Sequence, residues 1–139
     1  MAEGEGFTGG CECGALRYEC AAVPLMAGHC HCRSCQKASG TGHGSHLMVP
    51  RAAVTITGEA AFYERAADSG NRVRRAFCPR CGTPLYGESL AFPGVLVVRA
   101  GSLDDPEVFR PGARIFAASA PSWDHMAPAL PSFAGMPAR

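Results

Sequence analysis

The sequence has no marked excess of charge of either sign. Thirteen Lys and Arg residues balance twelve Asp and Glu residues, for a formal net charge of +1. Nucleic-acid binding needs clustered Lys and Arg to neutralise several phosphates, so this balance argues against a nucleic-acid partner. Long hydrophobic runs are also missing: the longest strongly apolar stretch, Pro93 to Val98, is too short to cross a bilayer. We therefore expect no membrane partner.

The N-terminal residues lack the features of a targeting segment. Residues 1–6 are acidic, with neither a basic region nor an apolar region of signal-peptide type. We therefore expect a cytoplasmic protein. Disulfides are rarely structural in a reducing compartment, so the eight cysteines of the chain are expected to bind metal or to take part in chemistry.

The periodicity of the sequence favours β-strands in a single domain, residues 1–139. Alternating or β-branched segments predict strands at 15–20, 54–57, 61–65, 72–77, 94–100 and 114–117, the third and fourth forming a hairpin and the fifth being buried on both faces. Helix-forming residues from Cys32 to Ala38, followed by Ser39–Gly40, predict one short helical turn. The predicted fold class is mainly β, with at most short helical turns.

The two ends of the chain are expected to be irregular. We predict a flexible N-terminus at residues 1–8. The proline-rich tail, residues 118–139, is expected to wrap over the domain, pinned by Trp123 and Phe133.

Two glycine-terminated cysteine pairs form the clearest motif: Cys11 and Cys13 before Gly14, and Cys78 and Cys81 before Gly82. A zinc knuckle needs a sharp turn that points backbone N–H groups at sulfur, and glycine tolerates the φ > 0 that completes it. Ligand sulfurs around tetrahedral zinc lie roughly 3.8 Å apart, so the Cys11 and Cys13 side chains should converge on a curled strand. These four residues predict a structural zinc site.

A second group, Cys30, Cys32 and Cys35, places three cysteines within six residues. Three thiolates can hold one zinc ion and leave a coordination position for water or substrate, as in a reactive site. Arg33 and Lys37 could offset the thiolate charge or bind an anionic ligand, or they could simply be solvated.

The fourth ligand of this second site is left open by the sequence. Cys20, His29 and His31 are protein candidates, and water or substrate is the alternative. An extended segment would turn His31 away from the metal, and the alternation around Cys20 favours a place in the core. We therefore favour an open site.

These motifs together resemble the glutathione-dependent formaldehyde-activating enzyme family (Gfa), whose relatives include centromere protein V. The resemblance covers nearly the whole chain and rests on Gly10–Gly14, His29–Gly40, Phe77–Gly82, Ala100–Asp105, Ser122–Asp124 and Leu130–Pro131.

The resemblance implies a fold of coiled antiparallel β-sheets like that of small zinc-containing Rab-exchange accessory proteins. It also implies a structural zinc on Cys11, Cys13, Cys78 and Cys81 and a catalytic, more labile zinc on Cys30, Cys32 and Cys35. The implied activity is that of a carbon–sulfur lyase joining formaldehyde to glutathione or an analogous thiol.

The roles of other residues, and the function itself, have alternatives. Lys37 and Ser39 are candidate substrate-binding residues, and His43 is a candidate base, although His43, His46 and His125 are each expected at the surface or in packing. The competing functions are a non-catalytic module whose two zinc ions are both structural, and a zinc or thiol redox sensor.

Overall fold

The computed structural model describes residues 6–137, and within them the chain forms ten β-strands and one α-helix. The prediction of a mainly β protein is therefore confirmed. The strands are β1 Phe7–Gly10, β2 Arg17–Cys20, β3 Met26–Cys30, β4 Gly44–Pro50, β5 Val54–Thr57, β6 Ala61–Ala66, β7 Arg72–Phe77, β8 Pro84–Ser89, β9 Val95–Arg99 and β10 Arg114–Ile115. The helix, α1, is Arg33–Ser39, and single 3-10 turns lie at Arg51–Ala53, Ala100–Ser102, Pro106–Val108 and Ala117–Ser119.

The strands form two sheets. The small sheet has the order β1-β2-β5, and the large one has the order β10-β3-β4-β9-β8-β7-β6. All neighbouring strands are antiparallel except β10, which pairs parallel to β3. The prediction of antiparallel sheets therefore fails at this one edge, because β10 returns to β3 through a long connection rather than through a hairpin.

Apolar side chains from both sheets meet in one core. Leu16, Leu47, Leu85 and Val98 have no exposed surface, and each such side chain contributes about 1.5–3 kcal/mol by burial. The sheets are also joined by a buried hydrogen bond of 2.7 Å between the hydroxyls of Tyr18 and Ser102. Ser102 ends the 3-10 turn that follows β9, so this contact ties that turn to β2.

Two local predictions are confirmed, and one is wrong. β6 and β7 form the predicted antiparallel hairpin. Helix α1 begins after Cys32, whose sulfur accepts a hydrogen bond from the Cys35 N–H, and it ends at left-handed Gly40. The strand β9 is not buried on both faces: Leu96 and Val98 are buried, whereas the alternate residues are partly exposed, because only one face packs on the core.

The two chain ends differ from their predictions. Phe7 and Thr8 belong to β1, since the Phe7 ring is buried in the core, while residues 1–5 of the predicted flexible segment lie outside the described residues. The tail is not pinned by Trp123 or Phe133, which are 62% and 38% exposed. Backbone hydrogen bonds hold it against β10 instead, including Phe133 N–H to the Arg114 carbonyl at 3.0 Å.

Gly58, which follows β5, provides a test of this packing. Its φ is +97°, and a Cβ there would lie 2.2 Å from the Ala15 carbonyl oxygen. Gly70 has a similar φ of +89° but open space around it. We expect Gly70→Ala to lower the free energy of unfolding by about 1–2 kcal/mol and Gly58→Ala to lower it by a further 1–3 kcal/mol or so. Urea unfolding measures both, and equal losses would contradict the proposed clash.

Candidate metal centres and the adjoining cleft

The four-cysteine cluster forms where two turns meet. Cys11 and Cys13 lie in the β1–β2 turn, and Cys78 and Cys81 lie in the β7–β8 turn. Cys11 and Cys13 do not lie on a curled strand as predicted, since Gly14 N–H donates to the Cys11 carbonyl and closes a tight turn. Gly14 and Gly82 have φ of +82° and +79°, which is the conformation expected of knuckle glycines.

The spacing of these sulfurs fits a tetrahedral zinc ion. The Cys11 and Cys13 Sγ atoms are 3.6 Å apart, and those of Cys13 and Cys78 are 3.7 Å apart. Tetrahedral Zn–S bonds of about 2.3 Å give a sulfur separation near 3.8 Å. The N–H groups of Leu16 and Arg80 donate to the sulfurs of Cys11 and Cys78 at 3.2 and 3.4 Å. The cluster can therefore hold a metal ion, and the donor set is one that zinc prefers.

The protonation of this cluster also favours a cation. Hydrogen bonding from the Thr83 hydroxyl is the chief cause that lowers the pKa of Cys81 to about 5. The pKa of Cys13 is raised to about 11: the Ala15 N–H opposes the rise, but desolvation and the neighbouring sulfurs outweigh it. The Cys81 thiol is therefore readily ionised, whereas the Cys13 thiol resists ionisation. A bound metal would displace the protons that remain on the cluster.

The three-cysteine cluster is built at the junction of β3 and α1. Cys30 ends the strand, Cys32 caps the helix, and Cys35 lies on its first turn. Their sulfurs lie within 4.8 Å of one another. Cys30 and Cys35 are buried, whereas Cys32 is half-buried. Hydrogen bonds from the other two thiols lower the pKa of Cys32 to about 2, and the same contacts, together with burial, raise the pKa of Cys30. This cluster too can hold a metal ion.

Two arginines close to these three sulfurs were missed by the sequence reasoning. Arg99, on β9, lies near Cys35: burial lowers the pKa of its guanidinium group, and the charge of the Cys35 thiolate opposes this shift. Arg75, on β7, donates to the Ser34 hydroxyl on α1 at 2.7 Å. Arg99 also donates to Nε2 of His46, whose pKa burial lowers to about 3, so that this ring is neutral. His46 and Arg99 are directly opposite each other in the β4–β9 pair, so a correct prediction of that strand pairing would have indicated this contact.

Arg33 and Lys37, the two charged residues that the sequence singled out beside the second cluster, lie at the surface. Arg33 is exposed and donates to the Gln36 side chain three residues along the same helix. Lys37 is also exposed. Ser39 donates to the His43 carbonyl at 2.6 Å. Of the two candidate substrate-binding residues, the structure brings only Ser39 to the cleft described below.

The protein candidates for a fourth ligand do not join the three sulfurs in the described part of the chain. Cys20 is buried in the core of the small sheet, and its thiol donates to the Ala22 carbonyl at 3.4 Å. His29 contacts the Ser45 hydroxyl at 2.9 Å through Nδ1. His31 has no exposed surface, and its Nδ1 lies 3.0 Å from the Gly42 carbonyl oxygen.

A cleft of about 270 Å³ lies beside the end of α1 and the start of β4, and none of the three cysteines lines it. Its lining residues include Ser39 of α1, Arg99 of β9 and Gly44 of β4, whose register partner on β3 is Cys30. His43 also lines the cleft. A small molecule in the cleft would therefore lie next to the elements that carry Cys30 and Cys35.

Fold and sites together define a class: a small β protein with two candidate thiolate metal centres, one of four cysteines and one of three on elements that adjoin a cleft. The family model for the glutathione-dependent formaldehyde-activating enzyme matches residues 6–119. The chain belongs to that family, and the resemblance read from the sequence is confirmed.

A crystal structure of a Rhodobacter sphaeroides protein shares the fold. The TM-score is 0.56 at 18% sequence identity, over 70% of this chain and 87% of that one. No helix in residues 6–137 is long and apolar enough to cross a membrane.

Proposed function

We propose that the protein is a carbon–sulfur lyase of the formaldehyde-activating type, which joins a small aldehyde to glutathione or a similar thiol at the three-cysteine site. One observation carries the proposal: Cys30, Cys32 and Cys35 converge without a fourth cysteine from the described residues, on elements that adjoin a cleft. A four-thiolate site has no position for substrate, whereas a three-thiolate site keeps one. Membership of the family supports the same reading.

In this proposal both clusters hold zinc. Cys11, Cys13, Cys78 and Cys81 would hold the structural ion, and Cys30, Cys32 and Cys35 would hold the second one. The second ion would supply a Lewis acid, which favours ionisation of a bound thiol and polarises an aldehyde oxygen. The three cysteines hold it and do not themselves attack the substrate.

The arginines would select the charge of the substrate. Three thiolates and one divalent ion carry a single net negative charge, which the guanidinium groups of Arg75 and Arg99 more than offset. A site of this kind favours an anionic ligand such as a thiolate. Ser39, on the cleft wall, and Lys37, exposed on the same helix, stay as proposed substrate contacts.

The reaction itself tests the proposal. Formaldehyde and glutathione at low concentration also react without a catalyst, so the rate of S-hydroxymethylglutathione formation is measured by NMR exchange with and without the zinc-loaded protein. We expect the protein to increase the rate in proportion to its concentration. A rate equal to the spontaneous one, for glutathione and for other small thiols, would contradict the proposal.

A further inference from the structure

The tail carries a carboxylate into the region behind the cleft. Oδ2 of Asp124 lies 2.9 Å from Nδ1 of His43 and 3.1 Å from Nδ1 of His31. The Asp124 side chain is only 8% exposed. A Cβ on Gly42 would lie 2.5 Å from the same oxygen, so the carboxylate is packed closely against the loop that precedes β4.

The acceptors in this network fix the tautomer of each ring. Nδ1 of His31 faces two acceptors, the Gly42 carbonyl and the Asp124 carboxylate, so this nitrogen carries the proton. Nδ1 of His43 faces the same carboxylate and must also donate. The neutral His43 ring therefore keeps its lone pair on Nε2.

The two histidines differ in access. His31 has no exposed surface, and its Nε2 has no partner within the described residues, so it joins the network through Nδ1 and helps to hold Asp124 in place. The His43 side chain is 21% exposed and lines the cleft. The groups in contact with its ring are Asp124, His31 and the His29 ring, whose centroid lies at 4.7 Å, while Arg99 lines the same cleft.

We infer that His43 is the general base and acid of the reaction and that Asp124 orients it, an inference that rests on the proposed function. Nε2 of His43 takes the proton of the thiol as sulfur bonds to the aldehyde carbon. The π electrons of the carbonyl move to oxygen, and the same Nε2 returns the proton to that oxygen. The product is the S-hydroxymethyl thiol, the ring ends neutral, and no further reactant is needed.

The test is His43→Ala, with His125→Ala as the matched control because His125 is exposed on the same tail as Asp124. After subtraction of the spontaneous rate, we expect His43→Ala to lose about 100- to 10,000-fold in kcat/KM. Added imidazole should restore part of the activity, since it can enter the space left by the side chain and move the same proton. His125→Ala should keep the wild-type rate and the same zinc content.

Asp124→Asn tests the positioning role. Histidine ¹⁵N shifts of the wild-type protein should show His43 with its proton on Nδ1, and the variant should lose that preference. Activity should fall with KM largely unchanged, because the ring is misoriented while the cleft is kept. Wild-type shifts with the proton on Nε2 would overturn the inference.

The outcomes separate this inference from the proposed function. Acceleration by the wild-type protein that persists in His43→Ala, or that falls without rescue by imidazole, would overturn the role of His43 alone. Absence of acceleration by the wild-type protein would overturn the proposed function and this inference with it. A third zinc equivalent that disappears in His43→Ala would make the network a metal site and would also overturn the inference.

Discussion

The double variant Cys78→Ser, Cys81→Ser is expected not to fold. It leaves Cys11 and Cys13 as the only thiolates of the four-cysteine cluster, and two ligands cannot complete a tetrahedral site. Structural zinc contributes about 10–16 kcal/mol in small zinc-binding peptides. The whole free energy of unfolding of a domain is about 5–15 kcal/mol. Losing the ion therefore removes as much stability as the domain has.

The position of the cluster in the fold supports this expectation. The Sγ atoms of Cys13 and Cys78 approach across 65 residues of chain and join the β1–β2 turn to the β7–β8 turn. These turns belong to different sheets. Without the metal, the sheets stay connected by the shared core and by contacts of β1 and β2 with the segment after β9, among them the Tyr18–Ser102 hydrogen bond and the Arg17–Asp104 ion pair.

Far-UV circular dichroism and zinc analysis measure the result, with Cys20→Ser as the matched control. Cys20 is as buried as Cys78, but its thiol lies outside both clusters and already donates to a carbonyl that a serine could use. We expect the control to fold and to keep all its zinc. A folded double variant, or a control that loses zinc, would contradict the assignment of these ligands.

The sequence predicted the features that depend on neighbouring residues. The Cys11–Gly14 and Cys78–Gly82 turns follow from short spacing and from glycines that adopt positive φ. The β6–β7 hairpin and the cap of α1 depend on turn and cap chemistry within a few residues. Local chemistry of this kind is visible in a single chain because each residue acts on its close neighbours.

The features that depend on distant pairing were not predicted. Arg99 approaches Cys35 from β9. Arg75 on β7 contacts Ser34 of α1, from which it is more than forty residues away in sequence. Asp124 meets His43 across 81 residues. No periodicity marks such pairs, so the only charged candidates that the sequence offered were Arg33 and Lys37, which are nearest along the chain and are exposed, in line with the solvated alternative.

The tail is held by backbone hydrogen bonds and not by the two aromatic side chains that the sequence predicted. Large aromatic residues are frequent anchors, so Trp123 and Phe133 were the natural candidates. The chain instead uses backbone bonds to β10, such as Arg114 N–H to the Pro131 carbonyl at 2.9 Å, which need no particular side chain. Trp123 is left exposed beside Asp124, whose carboxylate contacts His43.

Cys35→Ala is expected to abolish the activity and to leave the fold intact. The residue lies on the first turn of α1, where alanine is the best helix former, and the four-cysteine cluster is untouched. Only Cys30 and Cys32 would be left to hold the second ion, so one zinc equivalent should be lost. A Lewis acid is worth several kcal/mol in the transition state, which corresponds to a rate loss of roughly 100- to 1,000-fold or more.

Three measurements on one preparation decide this prediction, with Cys20→Ala as the matched control for removal of a buried thiol. Zinc content should fall by one equivalent in Cys35→Ala and stay unchanged in the control. The urea midpoint should stay close to that of the wild-type protein, since the second ion closes a junction of only six residues. Catalysis should fall to the spontaneous rate. A Cys35→Ala protein that keeps its full zinc content and turnover would show that the three sulfurs beside the cleft are not where the thiol and the aldehyde react.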